Sequence, residues 1–246
     1  MKSRLDKLLV ERGLAASRER AQSLILAGRV LVNEQKVEKA GASVEREADI
    51  RMLGEDLKYV SRGALKLEKA LEHWSIDVRG CTCLDVGAST GGFTDCLLQR
   101  GAARVIAVDT GYGQMDLRIR QDPRVVLLEK TNARYLKQEN LKLGVDFIAM
   151  DVSFISATLV LPAVIEAAFG EARGGKQVVV LVKPQFEAGR GNVGKGGIVR
   201  DPAVQVEAVE KVRRALQDLG STKLDVVESP IMGSEGNREF LLYGIF

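Results

Sequence analysis

Four side chains far apart in the chain have the types that a proton transfer needs: Lys66, Asp151, Lys183 and Glu239. Asp151 follows Phe147-Ile148-Ala149-Met150, Lys183 follows Val180-Leu181-Val182, and Glu239 precedes Phe240-Leu241-Leu242. Lys66 lies in Tyr59-Val60-Ser61-Arg62-Gly63-Ala64-Leu65-Lys66-Leu67, which opens a helix. The apolar stripe of that helix is Leu67, Ala70, Leu71 and Trp74, with Arg62, Lys66 and Lys69 on another face. A lone lysine at a strand end is ordinarily a solvated charge, and an aspartate after a strand is ordinarily a helix cap. Two amines and two acids gathered at one spot would instead make a site for acid–base chemistry. An amine takes up a hydroxyl proton only if its pKa falls well below the reference of about 10.4. Burial and a neighbouring cation push it down, and neighbouring carboxylates oppose the shift. Lys66 beside Lys183 would supply the cation, while Asp151 and Glu239 would orient the ammonium groups.

A second constellation is Leu84-Asp85-Val86-Gly87-Ala88-Ser89-Thr90-Gly91-Gly92-Phe93-Thr94, which runs from an apolar strand into a helix. Glycines there let the backbone turn sharply and come close to a ligand. The next apolar run, Arg104-Val105-Ile106-Ala107-Val108, ends at Asp109, where a carboxylate can accept hydrogen bonds from ribose hydroxyls. The pair implies an adenosine-containing ligand. The spacing departs from the dinucleotide pattern Gly-x-Gly-x-x-Gly, and the Gly-Lys-Ser/Thr of a nucleotide triphosphate loop is missing. Asp85 sits just before the loop, close to where a cationic ligand group would lie. S-adenosyl-L-methionine carries a sulfonium and an amino group and lacks pyrophosphate, which suits the loop, although the loop and Asp109 do not by themselves choose the cofactor. The candidate cofactor contacts are Asp85, Gly87, Ala88, Ser89, Thr90, Gly91, Gly92, Phe93, Asp109 and Asp151.

These residues need a frame. From about residue 59 the pattern alternates strand and helix, with strands at 83–86, 105–109, 125–128, 147–151, 178–183, 224–228 and 240–246. Helices fall between them, for example at 92–100 and 202–219, the latter with Asp201 as cap and Pro202 at its first position. The alternation predicts an α/β fold with a mostly parallel sheet covered on both faces. The close spacing of the last two strands predicts an antiparallel hairpin, which would bring Glu239 to the same rim as Asp151 and Lys183. Residues 187–200 hold five glycines and the basic groups Arg190, Lys195 and Arg200, a segment suited to a lid that sets cations on phosphates.

The front of the chain differs. Residues 1–30 carry seven basic and three acidic groups, whereas residues 31–60 carry five basic and seven acidic ones. Leu5, Leu8 and Leu9 share a helix face that Gly13 can close, and Ser17 can cap a second helix with Glu19 in its first turn. Ala21, Leu24, Ile25 and Gly28 keep helical spacing, residues 29–33 read as a strand, Glu34-Gln35 as a turn and residues 49–52 as another strand. Gly54-Glu55-Asp56-Leu57-Lys58 reads as a linker, so the expected domains are 1–58 and 59–246. The segments Arg4-Leu5-Asp6-Lys7-Leu8-Leu9, Ser17-Arg18-Glu19-Arg20-Ala21 and Ile25-Leu26-Ala27-Gly28-Arg29-Val30-Leu31-Val32-Asn33 resemble the alpha-L RNA-binding domain. That resemblance implies RNA contacts by Arg4, Arg18, Arg20 and Arg29, with a folded RNA read by shape and backbone. Arg62 joins them as a candidate near the domain boundary.

The remaining composition sets limits. The chain has 246 residues, 46% hydrophobic and 28% charged, and a net charge of only +3, so any polyanion partner is met by local charge. Cys81, Cys83 and Cys96 make an odd, close set that argues for a reducing compartment. With His73 as the single histidine, a zinc site is not expected. Residues 147–169 are apolar over the length of a membrane span, but Asp151, Pro162 and Glu166 make them a buried strand, a loop and a core helix. The first residues show no apolar signal-peptide core, and the expected location is cytoplasmic.

Residues 59–246 resemble the FtsJ-type ribose methyltransferases, and the whole chain resembles the TlyA family, sometimes labelled hemolysins. The resemblance implies a Rossmann-like methyltransferase sheet behind a small α+β RNA-binding domain. It also implies a Lys-Asp-Lys-Glu tetrad at Lys66, Asp151, Lys183 and Glu239, and methyl transfer from S-adenosyl-L-methionine to a ribose 2′-hydroxyl, cytidine in ribosomal RNA. A non-catalytic RNA-binding or ribosome-assembly factor would have no need of the tetrad. A membrane-active hemolysin would call for a span or a signal.

Overall fold

The computed structural model describes residues 2–15, 17–53, 58–233 and 236–246. It divides into two compact units, Met1–Lys58 and Tyr59–Phe246. In the first unit, β1 (Lys2–Arg4) leads straight into α1 (Leu5–Glu11), and α2 (Arg18–Leu26) follows. Ser17 caps α2 by accepting from the Arg20 amide, and Gly28 leaves the helix at a φ of +66°. Then come β2 (Val30–Val32), β3 (Gln35–Lys36), β4 (Ser43–Glu45) and β5 (Ile50–Met52). β2 is flanked by β3 and β5, and β1 pairs with β4. Leu5, Leu9, Ala21, Leu24, Ile25, Val30 and Val32 form the core.

The tight turn after β2 lies at Asn33-Glu34, one residue before the expected place, because Val32 pairs directly with Gln35. Asn33 and Glu34 both take positive φ, as a two-residue hairpin turn demands, and asparagine at the first of these positions is what such turns favour. The strands β1, β3 and β4 were invisible to periodicity, having two or three residues each and mostly exposed side chains. The expected linker lies outside the described residues except for Lys58.

In the second unit, α3 (Ala64–His73) precedes β6 (Thr82–Val86), α4 (Gly92–Gln99), β7 (Arg104–Val108), α5 (Leu117–Arg120), β8 (Val125–Leu128), α6 (Gln138–Leu141) and β9 (Phe147–Met150). The chain continues through α7 (Ala157–Phe169), β10 (Gln177–Val182), α8 (Pro184–Glu187), α9 (Pro202–Asp218), β11 (Lys223–Glu228) and β12 (Phe240–Ile245). The seven strands are ordered β11-β12-β10-β9-β6-β7-β8, all neighbours parallel except that β12 runs antiparallel to both β10 and β11.

Strand alternation divides the core. Leu84, Val86, Ile106, Ile148 and Met150 pack with α7 and α9 on one face, while Cys83, Val105, Ala107, Phe147 and Ala149 pack with α3 and α4 on the other. Strand order reverses between β6 and β9, and such a switch point opens a crevice at the carboxyl ends of the strands. No helix among the described residues is long and apolar enough to cross a membrane; residues 147–169 are β9, a loop and α7.

Candidate active site

Four neighbouring strands deliver the site. Gly87 follows β6, Asp151 follows β9 and Lys183 follows β10, while Glu239 immediately precedes the antiparallel β12. The register pairs Val86 with Met150, Val180 with Met150, and Val182 with Phe240. The four residues therefore stand in sequence along one rim.

Lys66 comes from α3, on the sheet face that α3 and α4 cover. It is buried rather than on an open helix face. Its Nζ donates to Glu239 Oε2 at 2.5 Å, with both side chains almost shut from water. Lys183 Nζ lies 2.6 Å from Asp151 Oδ1, an ion-pair contact that leaves Oδ1 without a hydrogen bond. Lys183 Nζ also donates to Ser153 Oγ at 2.6 Å. Each lysine thus faces a carboxylate, Glu239 for Lys66 and Asp151 for Lys183. A lysine has three N–H donors, so each ammonium keeps donor capacity for a ligand beyond the contacts named here.

The glycine loop presses against the end of β9. Gly87 has φ +87°, and a Cβ there would stand 2.3 Å from the Asp151 carbonyl oxygen, so no other residue fits. Gly91 takes the left-handed position just before α4, and a Cβ on Gly92 would meet Ser61 Oγ at 2.2 Å. Asp109 holds the loop from the β7 side: its Oδ2 accepts from the Ser89 amide at 2.8 Å and its Oδ1 from the Gly111 amide at 2.6 Å. A cavity of about 410 Å³ lies between Gly87, Ser89, Asp109, Asn132, Asp151 and Phe154. A smaller one of about 150 Å³, lined by Ser61, Ala88, Thr90, Gly92, Phe93 and Asp151, shares Gly87, Ser89 and Asp151 with it. Together they form one crevice straddling the loop.

Asp85 has a different place. It points to the face beneath α4, fully buried, with Thr94 Oγ1 donating to Oδ2 at 2.6 Å and Oδ1 lacking any donor. Burial, with the nearby Asp151 and Asp109 charges, pushes its carboxyl up to about 7. It lies behind the loop rather than in the crevice wall.

The basic candidates are spread over both units. Arg4 donates through Nε and Nη2 to Asp6 at 3.0 and 2.8 Å, and Arg18 Nε donates to the same carboxylate at 3.0 Å. Asp6 is fully buried, and the Arg4 guanidinium holds its carboxyl well below the usual range. Both arginines keep nearly half their side-chain surface exposed. Arg20 is half-buried. Arg29 is half-buried too, and its Nε donates to the Leu53 carbonyl. Arg62, Lys195 and Arg200 are exposed, and the Arg190 side chain lies outside the described residues.

The glycine-rich segment is pinned at both ends. Glu187 Oε1 accepts from the Ala157 amide and its Oε2 from Ser156 Oγ. At the far end, buried Asn237 accepts from the Val199 amide and donates to the Gly197 carbonyl.

Sequence reasoning missed several wall residues. Ser153 had a signal, a hydroxyl two residues beyond Asp151, and Phe154 had one in its apolar type after a strand. Gln114 and Asn132, which come from loops after β7 and β8, had none. Among the described residues no group of His, Cys, Asp and Glu could hold a metal ion.

An open sheet with one antiparallel strand, a glycine cradle at its switch point and an acid at the end of the second strand defines a Rossmann-like methyltransferase, here preceded in the chain by a separate small unit. Residues 59–246 match the FtsJ-like methyltransferase model and residues 3–50 the S4 domain model. The 16S/23S rRNA (cytidine-2′-O)-methyltransferase TlyA of Mycobacterium tuberculosis is 46% identical, over 98% of this chain and 89% of its own. Hemolysin A of Brachyspira hyodysenteriae is 41% identical, over 98% of this chain and 99% of its own. A solved structure from Streptococcus thermophilus that carries a hemolysin name superposes with a TM-score of 0.74 at 42% identity, covering 99% of this chain and 88% of that one. The chain belongs to the FtsJ-like methyltransferases and, within them, to the TlyA family.

Proposed function

We propose that this protein methylates the 2′-hydroxyl of a cytidine ribose in ribosomal RNA, using S-adenosyl-L-methionine. The observation that carries the reading is the pair of lysine–carboxylate contacts, Lys66–Glu239 and Lys183–Asp151, on the rim that also bears the glycine cradle.

The residues suit the cofactor. Asp109 has carboxylate oxygens fit for ribose hydroxyls, the cradle leaves room for close backbone approach at Gly87, and Asp85 is a buried acid with an unpartnered oxygen behind the loop. Ser89, Asn132 and Asp151 wall the larger cavity, and Ser61, Thr90 and Phe93 the smaller. When bound, the cofactor supplies a methyl carbon already made electrophilic by positive sulfur.

Lys183, held by Ser153 and Asp151, directs its remaining N–H at the 2′-oxygen and fixes the lone pair that attacks. With the cofactor's methyl carbon in line with that lone pair, the hydroxyl proton would pass to the Lys183–Asp151 pair as the oxygen is methylated. Lys66 holds the acceptor ribose, with Glu239 fixing its ammonium. Much of the acceleration comes from this placement. The S4 unit, with Arg4, Arg18, Arg20 and Arg29, docks on folded RNA, while Arg62, Arg190, Lys195 and Arg200 meet phosphates near the target.

The test is labelled methyl transfer onto ribosomal subunits lacking the modification, followed by mapping. Label at the 2′-oxygen of a cytidine supports the reading; label on a base, or none, refutes it.

A further inference from the structure

Among the described residues, the buried side-chain oxygens without a hydrogen-bond donor are Asp85 Oδ1, Asp151 Oδ1 and Gln185 Oε1. The first two belong to the cofactor loop and the Lys183 pair. Gln185 has no part in either. It lines a groove of about 720 Å³ with Arg134, Phe154, Leu159, Phe186 and Val193. Phe154 and Ile155 line both this groove and the larger cofactor cavity, so the one opens beside the other.

The groove is walled by aromatic rings next to Lys183. Lys183 Nζ lies 6.0 Å from the centre of the Phe186 ring, and that ring lies 5.3 Å from the Phe154 ring. Phe154 is 93% exposed and held at φ +64°, a backbone region that bulky residues rarely occupy. Exposed aromatic faces of this kind suit a flat, unstacked base. A base hangs from the ribose carbon next to the one bearing the 2′-oxygen. A ribose whose 2′-oxygen meets Lys183 would carry its base within reach of the Phe186 ring and the groove beside it.

We propose that Gln185 Oε1 accepts a hydrogen bond from the 4-amino group of the target cytosine, making Gln185 the residue that selects cytidine; this rests on reading the site as a ribose 2′-O-methyltransferase. Oε1 is itself shut from water, so the Gln185 amide must turn to bring it to the groove, where an arriving N–H supplies the donor that a buried acceptor lacks. Uracil offers a carbonyl at the same place, which sets acceptor against acceptor.

The experiment measures kcat/KM on unmodified ribosomal subunits carrying either the mapped cytidine or a uridine in its place. Wild type should favour cytidine about tenfold or more. Gln185→Ala should bring the ratio close to one, chiefly by losing rate on cytidine. Gln185→Glu keeps an acceptor and should keep the preference, which covers the case in which the alanine variant fails to fold. Equal wild-type turnover on both subunits, an unchanged ratio in Gln185→Ala, or no preference in Gln185→Glu would overturn the inference alone. Absence of ribose methylation on either subunit by wild type would overturn the underlying reading and this inference with it.

Discussion

Lys66 and Glu239 stand 173 positions apart in the chain, yet Nζ and Oε2 meet at 2.5 Å with little access to water. The contact joins α3, which precedes the first strand of the sheet in the chain, to the residue leading into β12, the last. A buried pair of this kind adds little net stability over an apolar pair, but losing one partner strands a charge.

The pair therefore separates folding from chemistry. Lys66→Met should cost about 3–5 kcal/mol of stability. Lys66→Met combined with Glu239→Leu should recover much of that, and neither variant should transfer methyl groups. Urea unfolding alongside a methylation assay reads both. A double variant that regains turnover would remove Lys66 and Glu239 from the site.

The Lys183–Asp151 pair is the less enclosed of the two through its carboxylate, and gives a cleaner test of the transfer step. Lys183→Ala should abolish methylation while S-adenosyl-L-methionine binding stays measurable by calorimetry, because the cofactor cradle is built by other strands. Near-native turnover would refute the assignment.

The rim was legible in the sequence because each of its residues abuts an apolar strand, and strands end where apolar runs end. Asp151, Lys183 and Glu239 needed only that and the antiparallel sense of β12. Partnership was not legible. Spacing shows that Lys183 and Asp151 end strands, but not that those strands are neighbours, so it does not say which carboxylate meets which lysine. Asp85 is located by its place before the loop but not in its exposure, since strand parity, which turns it under α4 toward Thr94, is visible only once the covering helices are placed. The short strands β1, β3 and β4 carry too few buried residues to leave any period at all.

Asp85 predicts a pH dependence. Burial raises its folded-state carboxyl from 3.8 to about 7. Between those values the folded protein keeps a proton that the unfolded chain has released, so stability is greatest below the window and falls as pH rises through it. Asp85→Asn removes that fall. Its melting temperature, relative to wild type, should be higher at pH 8 than at pH 5. A cationic cofactor group set near Asp85 would favour the carboxylate, so binding at pH 7 should release protons in wild type and not in Asp85→Asn. Calorimetry in buffers of differing ionisation heat measures this. Equal release from both proteins would place the cation elsewhere.

The arginines of the first unit predict a coupled effect that the exposed cations of residues 187–200 should not show. Arg4 and Arg18 both anchor on the buried Asp6 while presenting about half of each side chain outward. Arg18→Gln should therefore weaken the fold of the S4 unit and its hold on RNA together. Arg200 is exposed at the foot of the glycine-rich segment, just past the point where Asn237 holds Val199. Arg200→Gln should leave the melting temperature unchanged. Removing a cation that neutralises one phosphate should make the slope of log affinity against log salt shallower by about 0.7–0.9. Filter binding to ribosomal RNA over a series of potassium chloride concentrations gives the slopes, and thermal melts give the stabilities. An Arg18→Gln variant with wild-type slope and lowered melting temperature would make Arg18 a purely internal brace for Asp6 and move the RNA surface of this unit elsewhere.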